Sequence, residues 1–358
     1  MKGAWQGYRA LVVGAALALL GAACGAPSAQ QPAPLPASGA PGAGHPSAAV
    51  AAPAEPERVR LSYAAISTSF ATAWVAKDAG IFARHGFEAE VLHLPSRQAS
   101  QALVAGDVDY GLFSGRTIVE LRSQGTDVVV VAAQMLKIVQ MMIAHSAIRA
   151  PEDLRGKRVA VTQFGSSPDF VARYLLEQWG LRPNEDVTLV QLQTLPNIFA
   201  GLEGGAVEAG VLSPPISFEA VKRGYRELGT MADQPFLYPA SVLAVRGDTL
   251  RERPEQVRRM VLALTEAIAY FKQERDATEA ILRTHTGIED PTVLRATYDR
   301  YAPLFERVPL LPESAMQVAI DEVAEDNPRA RAVTPRSTMD MQFVQVLQES
   351  GQIDALYR

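Results

Sequence analysis

Four short polar turns carry the residues that could hold a small ligand: Ser67-Thr68, Ser114-Gly115-Arg116, Gly165-Ser166-Ser167 and Ser213-Pro214. Each follows an apolar, strand-like run and precedes a helical one. Backbone N–H groups and hydroxyls at a helix start, where the dipole favours negative charge, suit sulfonate, nitrate, carboxylate or polar heterocycles. Ser and Thr are also ordinary helix caps, so one such turn alone says little. Arg116 falls in a first helical turn, where the dipole disfavours a cation, which makes it a candidate anion clamp. Phe70, Phe164 and Tyr238 lie beside turns or near the connection between the two halves. They could stack on a flat ligand or equally pack in a core. Gln134, ending a buried apolar run, could hydrogen-bond a ligand, and Lys137 is a weaker candidate. The Ser213 turn continues Pro214-Pro215 and offers no carboxylate for a primary amine, although Asp169 could serve.

The elements that must position these turns come in two matching sets. Val59–Tyr63 alternates as a half-buried strand, and the Ser67 turn leads into a helix through Trp74. Phe87–Leu94 is a second strand, Arg97–Ala105 a helix and Val108–Phe113 a third strand before Ser114. Asp127–Ala133 and Ile138–Ala144 are apolar strands. Arg158–Thr162, the Gly165-Ser166-Ser167 turn and a helix ending at Gly180 then begin the pattern again. Ser67 and Ser166 are 99 residues apart, and so are Ser114 and Ser213. ALVAGDVDYGLFS (102–114) lies against GLEGGAVEAGVLS (201–213), with Leu103/Leu202, Gly106/Gly205, Val108/Val207, Gly111/Gly210 and Ser114/Ser213 identical. Strands alternating with helices indicate largely parallel α/β sheets, and the repeat indicates two lobes on one plan. Open α/β sheets bind ligands beyond the carboxyl ends of their strands, so facing lobes would bring the four turns to one cleft.

The start of the chain reads as an address. Lys2 and Arg9 precede an apolar run from Ala10 to Leu20, and Gly21-Ala22-Ala23-Cys24 follows, the layout of a secretory signal over residues 1–24. Cys24 is the only cysteine, which excludes an intramolecular disulfide. Of residues 25–57, 26 of 33 are Ala, Pro, Gly or Ser, too little apolar surface to fold, so 25–56 is expected to be a disordered tether. His45 within it has no companion ligand residue.

Charge and motifs exclude several functions. The formal charge is −5, and losing Lys2 and Arg9 leaves 32 basic against 39 acidic residues, or −7. That argues against nucleic acid, which demands a basic face. There is no G-x-S-x-G elbow and no S-x-x-K, and Gly156-Lys157 lacks the rest of a phosphate loop. The five histidines have no i,i+4 pair and no cysteine companions, so no metal site and no cofactor are expected.

Several segments together carry a resemblance. They are the leader, the tether and the runs WVAKDAGIF (74–82), ALVAGDVDYG (102–111), DLRGKRVAV (153–161) and GGAVEAG (204–210). Over residues 58 to about 285 the chain resembles the periplasmic substrate-binding proteins of ABC importers, in particular the nitrate/sulfonate/taurine/thiamine-precursor group. The leader resembles a lipobox, with Leu20 four residues before Cys24 where the usual apolar position is three before. The resemblance implies a type II periplasmic-binding-protein-like α/β fold whose two lobes are joined by a two-strand hinge. It implies lobe 1 over 57–146, lobe 2 over 147–239, and a return strand with helices packing on lobe 1 over 240–358. Ile138–Ser146 and Ala240–Arg246 would be the paired hinge connections. It implies an exported, monomeric, non-enzymatic binder, lipid-anchored at Cys24, delivering a small polar or anionic molecule to a permease and its ATPase. A sensory protein using the same cleft, or an exported enzyme on this scaffold, are the alternatives.

Overall fold

The computed structural model describes residues 55–232 and 234–358. The expected secretory leader, the Cys24 lipidation site and the tether up to residue 54 lie outside these residues. Among the described residues no helix is long and apolar enough to cross a membrane.

Among the described residues ten strands form two sheets. The first four are β1 (Glu57–Tyr63), β2 (Phe87–His93), β3 (Tyr110–Phe113) and β4 (Val128–Met135). The next five are β5 (Met141–Ala144), β6 (Arg158–Val161), β7 (Thr188–Gln191), β8 (Ala209–Leu212) and β9 (Arg226–Thr230). The last is β10 (Ser241–Arg246). One sheet has the order β2-β1-β3-β10-β4 and the other β7-β6-β8-β5-β9. In each sheet the first three strands run parallel, and the fourth lies antiparallel between two neighbours. We call each sheet with its flanking helices a lobe.

The 99-residue register carries through the backbone. Shifting β3 by 99 lands on β8, and shifting the helix Ser96–Ala105 lands on Leu195–Glu203. The repeated glycines have a packing cause. A Cβ on Gly111 would stand 2.0 Å from the Phe113 ring, and one on Gly210 would stand 2.4 Å from Ile198 Cγ2. The repeated acids share a task. Asp109 accepts from the Arg60 amide and Glu208 from the Arg158 amide, both at 2.9 Å, which satisfies one strand donor in each lobe.

The lobes are joined by two crossings, 136–140 and 231–240, bonded to one another by Met231 N–H to Gln140 O and Tyr238 N–H to Leu136 O. The paired connections expected over Ile138–Ser146 and Ala240–Arg246 therefore sit a few residues early. Met141–Ala144 is an interior strand of its own sheet and Ser241–Arg246 of the other, because their unbroken apolar runs bury best inside a sheet.

The tail is helical. In Pro254–Gln273 the residues Val257, Met260, Val261, Leu264, Ile268 and Phe271 are all buried, at the helical spacing their sequence shows, and the helix packs on Ala71–Asp78. Each such side chain contributes on the order of 1.5–3 kcal/mol on burial. Glu313–Asp326 packs on Gly115–Ser123. Pro291–Tyr301 touches both the Thr68–Phe70 turn and the helix Ile216–Lys222 of the second lobe, where Lys222 pairs with Asp290.

Candidate functional site

Between the lobes lies a small cavity of about 40 Å³, room for a few waters. It sits where the parallel strands of both sheets end. From the first lobe come Ala64, Ala65, Ser67, Ser69, Phe70, Ser96 and Ser114. Ile138, Val139, Gln140 and Ala240 come from the crossings and their flanks, and Thr162, Ser167, Pro168 and Leu195 from the second lobe.

The lobes touch around it. The Ser67 and Ser213 hydroxyls share a 3.0 Å hydrogen bond, and Thr68 Oγ1 donates to Pro214 O at 3.3 Å. On the far side the Arg97 amide donates to Gln163 Oε1 at 3.3 Å. The helix Ser96–Ala105 has Pro95 at its cap position with no side-chain cap of its own, so this bond from the other lobe satisfies one of its open amides. Gln163 is held in turn by its Nε2 donating to Gln193 Oε1 at 3.0 Å. Gln193 has φ +69°, a backbone region that non-glycine residues seldom occupy.

The candidate residues separate into distinct groups. Ser67, Ser114 and Ser167 line the cavity, as does Phe70. Ser167 donates to Gln140 Oε1 at 3.0 Å. Thr68 and Ser213 serve the lobe-to-lobe contact. Ser166 shapes its own turn, donating to Gln163 O at 2.6 Å and bonding Thr162 Oγ1 at 2.8 Å. Gly165, at φ +77°, lets that turn press against the Glu120–Arg116 pair of the other lobe. Phe164 is 45% exposed and lines an open outer groove of about 530 Å³ beside Arg97 and Glu120. The enclosed cavity, at the strand ends and bounded by both lobes, is the better candidate site than this wider groove.

Five candidates are not on the cavity wall. Arg116 is buried and meets Glu120 at 2.9 Å, Glu322 at 2.7 Å and Asp326 at 3.6 Å. Burial alone would lower its pKa, but Glu322 and Glu120 outweigh it and hold the guanidinium above its usual range. A first-turn arginine is tolerated here because acids surround it. Burial pushes the Glu322 carboxyl up to about 7, against the pull of Arg116 and of the hydrogen bond from Tyr238. Tyr238 donates to Glu322 at 2.6 Å, and its ring stacks on Phe170 at 5.2 Å, tying the second crossing to the tail and to the second lobe. Gln134 is fully buried, accepting from Thr72 at 2.6 Å and Ser241 at 3.4 Å. Lys137 donates to Gln234 O and Phe236 O, fixing the second crossing. Asp169 accepts from the Gly165 amide at 2.9 Å and pairs with Arg173 at 3.1 Å.

Sequence reasoning missed Ser69, Ser96, Gln140, Thr162 and Leu195 on the cavity wall. Gln140 and Thr162 carried a usable signal, the first a polar residue interrupting an apolar run and the second a polar residue ending one. It also missed Tyr301. This buried tail hydroxyl accepts from Ser69 Oγ at 3.5 Å and lies with Ser67 and Ser213, and burial raises its pKa. Among the described residues no cluster of three or more His, Cys, Asp or Glu side chains could hold a metal ion.

Two α/β lobes built on one repeat, with a cavity between their strand ends, define the periplasmic binding protein fold. The chain belongs to the NMT1-like family, whose model matches residues 52–284. It is 28% identical over 215 residues to a binding protein of Brucella abortus, covering 58% of this chain. The chain spans only 65% of that relative's length. It is 30% identical over 162 residues to the taurine-binding periplasmic protein of Escherichia coli, covering 44% of this chain and 49% of that one. Among solved structures, the alkanesulfonate-binding protein of Xanthomonas axonopodis pv. citri, bound to MOPS, superposes with a TM-score of 0.68 at 21% identity. That match covers 80% of this chain and 99% of that one, a likeness of fold.

Proposed function

We propose that this chain is the extracytoplasmic solute-binding component of an ABC import system. A small polar molecule enters between the lobes, closure at the crossings 136–140 and 231–240 traps it, and the trapped form docks on a membrane permease worked by an ATPase. The observation that carries this reading is the cavity enclosed by both lobes where their parallel strands end. Ligand bridging the lobes would stabilise the closed arrangement by contacts the open one lacks. Taurine-binding and alkanesulfonate-binding relatives support import over catalysis. The division into lobes over 57–146 and 147–239, export to the periplasm, the lipid anchor at Cys24 and a monomeric state belong to the same proposal.

The test is a thermal-shift screen of the purified protein against sulfonates, nitrate, aromatic acids, thiamine pyrimidines and riboflavin. A hit should raise the unfolding midpoint and reduce the radius of gyration in solution scattering. Ser114→Trp, which fills the cavity, should abolish both effects. A hit that survives this substitution would move the site elsewhere.

A further inference from the structure

The cavity that this reading makes the capture site carries no charge. Its polar wall is the hydroxyls of Ser67, Ser69, Ser96, Ser114, Thr162 and Ser167 and the amide of Gln140, and the remaining lining residues are apolar. Of the nearby cations, Arg97 lies on the outer groove beside Glu120, and three others are engaged within the fold. Arg116 serves three carboxylates, Lys137 serves two backbone carbonyls and Arg173 serves Asp169.

Several turn amides that could cradle an oxyanion are also spent within the fold. The Gly115 amide donates to Pro239 O at 2.7 Å, Gly165 to Asp169 Oδ2 at 2.9 Å and Phe164 to Gln191 Oε1 at 2.8 Å. At the Ser167 helix, Pro168 has no amide proton. The buried carboxylate of Asp169 already supplies the negative charge that this helix start favours. The wall itself thus offers an anion no cation and a cation no carboxylate. A charged group enclosed without a partner is strongly disfavoured, whereas hydroxyls and an amide match groups that both donate and accept.

We infer that the site selects an uncharged, compact ligand, an amide or amino-heterocycle with an apolar body, and discriminates against free sulfonates, nitrate and zwitterions. The Ser96 and Ser114 hydroxyls and the Gln140 Nε2 would pair with its polar edge, and Ala64, Ala65, Phe70, Ile138, Val139 and Leu195 would contact its apolar body.

The inference rests on the capture reading, and matched probes separate the two. Benzamide against benzoate, ethanesulfonamide against ethanesulfonate, and cytosine against nitrate and taurine are titrated calorimetrically into the purified chain. The expected result is that at least one uncharged member binds ten-fold or more tighter than its charged counterpart. Ser114→Trp, or Ser96→Trp at the part-exposed rim should the first variant fail to fold, is expected to remove that binding. An anion bound as tightly as its neutral partner overturns the selection of an uncharged ligand and leaves capture standing. Neutral binding that persists in a folded cavity variant overturns the assignment to this cavity. A panel that gives no heat and no change in the radius of gyration removes the capture reading, and this inference with it.

Discussion

At the scale of single residues, what Arg116 does depends on its neighbours. A cation at a helix start looks like an anion clamp until three carboxylates from two helices are found around it. Removing it strands the buried Glu322 and crowds it against Glu120. We predict that Arg116→Met lowers stability by about 3 kcal/mol, read from urea midpoints, while leaving any ligand affinity of the folded protein within about two-fold. A large affinity loss at unchanged stability would restore the clamp. The hydroxyl turns were legible because Ser and Thr at strand ends are local signals. Arg116, Tyr238 and Gln134 were not, because their partners Glu322, Phe170 and Thr72 lie far away in sequence and no local pattern encodes those pairings.

At the scale of elements, the turn Gln163–Ser166 reaches across and caps a helix it does not belong to. Gln163→Leu should cost about 1 kcal/mol, the usual worth of a lost cap. It should also enlarge the radius of gyration of the unliganded protein, since one clasp between the lobes goes with it. An unchanged radius would show that the Ser67–Ser213 and Thr68–Pro214 contacts suffice. Element identity and order were well foreshadowed. The 99-residue register predicted the repeated strand–turn–helix units because a repeated fold needs the same small and apolar residues in the same places, Gly111 and Gly210 above all. The crossings were placed less well, since an apolar strand looks alike whether it links two sheets or lies inside one.

At the scale of the whole molecule, the Arg116–Glu322–Tyr238 cluster joins the first lobe, the tail and the second crossing, so its ionisation bears on the entire fold. Burial raises Glu322 to about 7 from an ordinary value near 4.5. The folded state therefore holds a proton that the unfolded chain has released between those values. The contribution is fully present below about 4.5 and is lost as pH rises through about 7, a swing on the order of 3 kcal/mol. Stability should fall from pH 5 to pH 8, and Glu322→Gln should flatten that part of the profile. A wild-type slope unaltered by the substitution would remove Glu322 as its source.

The sheet order has a further consequence, for the sequence in which the molecule can be assembled. Strands β5 to β9 are contiguous in the chain, so the second sheet can close as soon as residue 230 is available. The first sheet cannot, because β3 and β4 meet only through β10, which arrives at least a hundred residues after both. Until then each presents an unpaired edge, the kind of edge through which chains aggregate. In refolding, pulsed hydrogen exchange should find the amides of β6 and β8 protected before those of β3 and β4; simultaneous protection would mean that the two lobes assemble as one unit. The strand that completes the first sheet is thus also the one that ends its exposure, and a chaperone acting on this protein would be needed longest at the lobe made first.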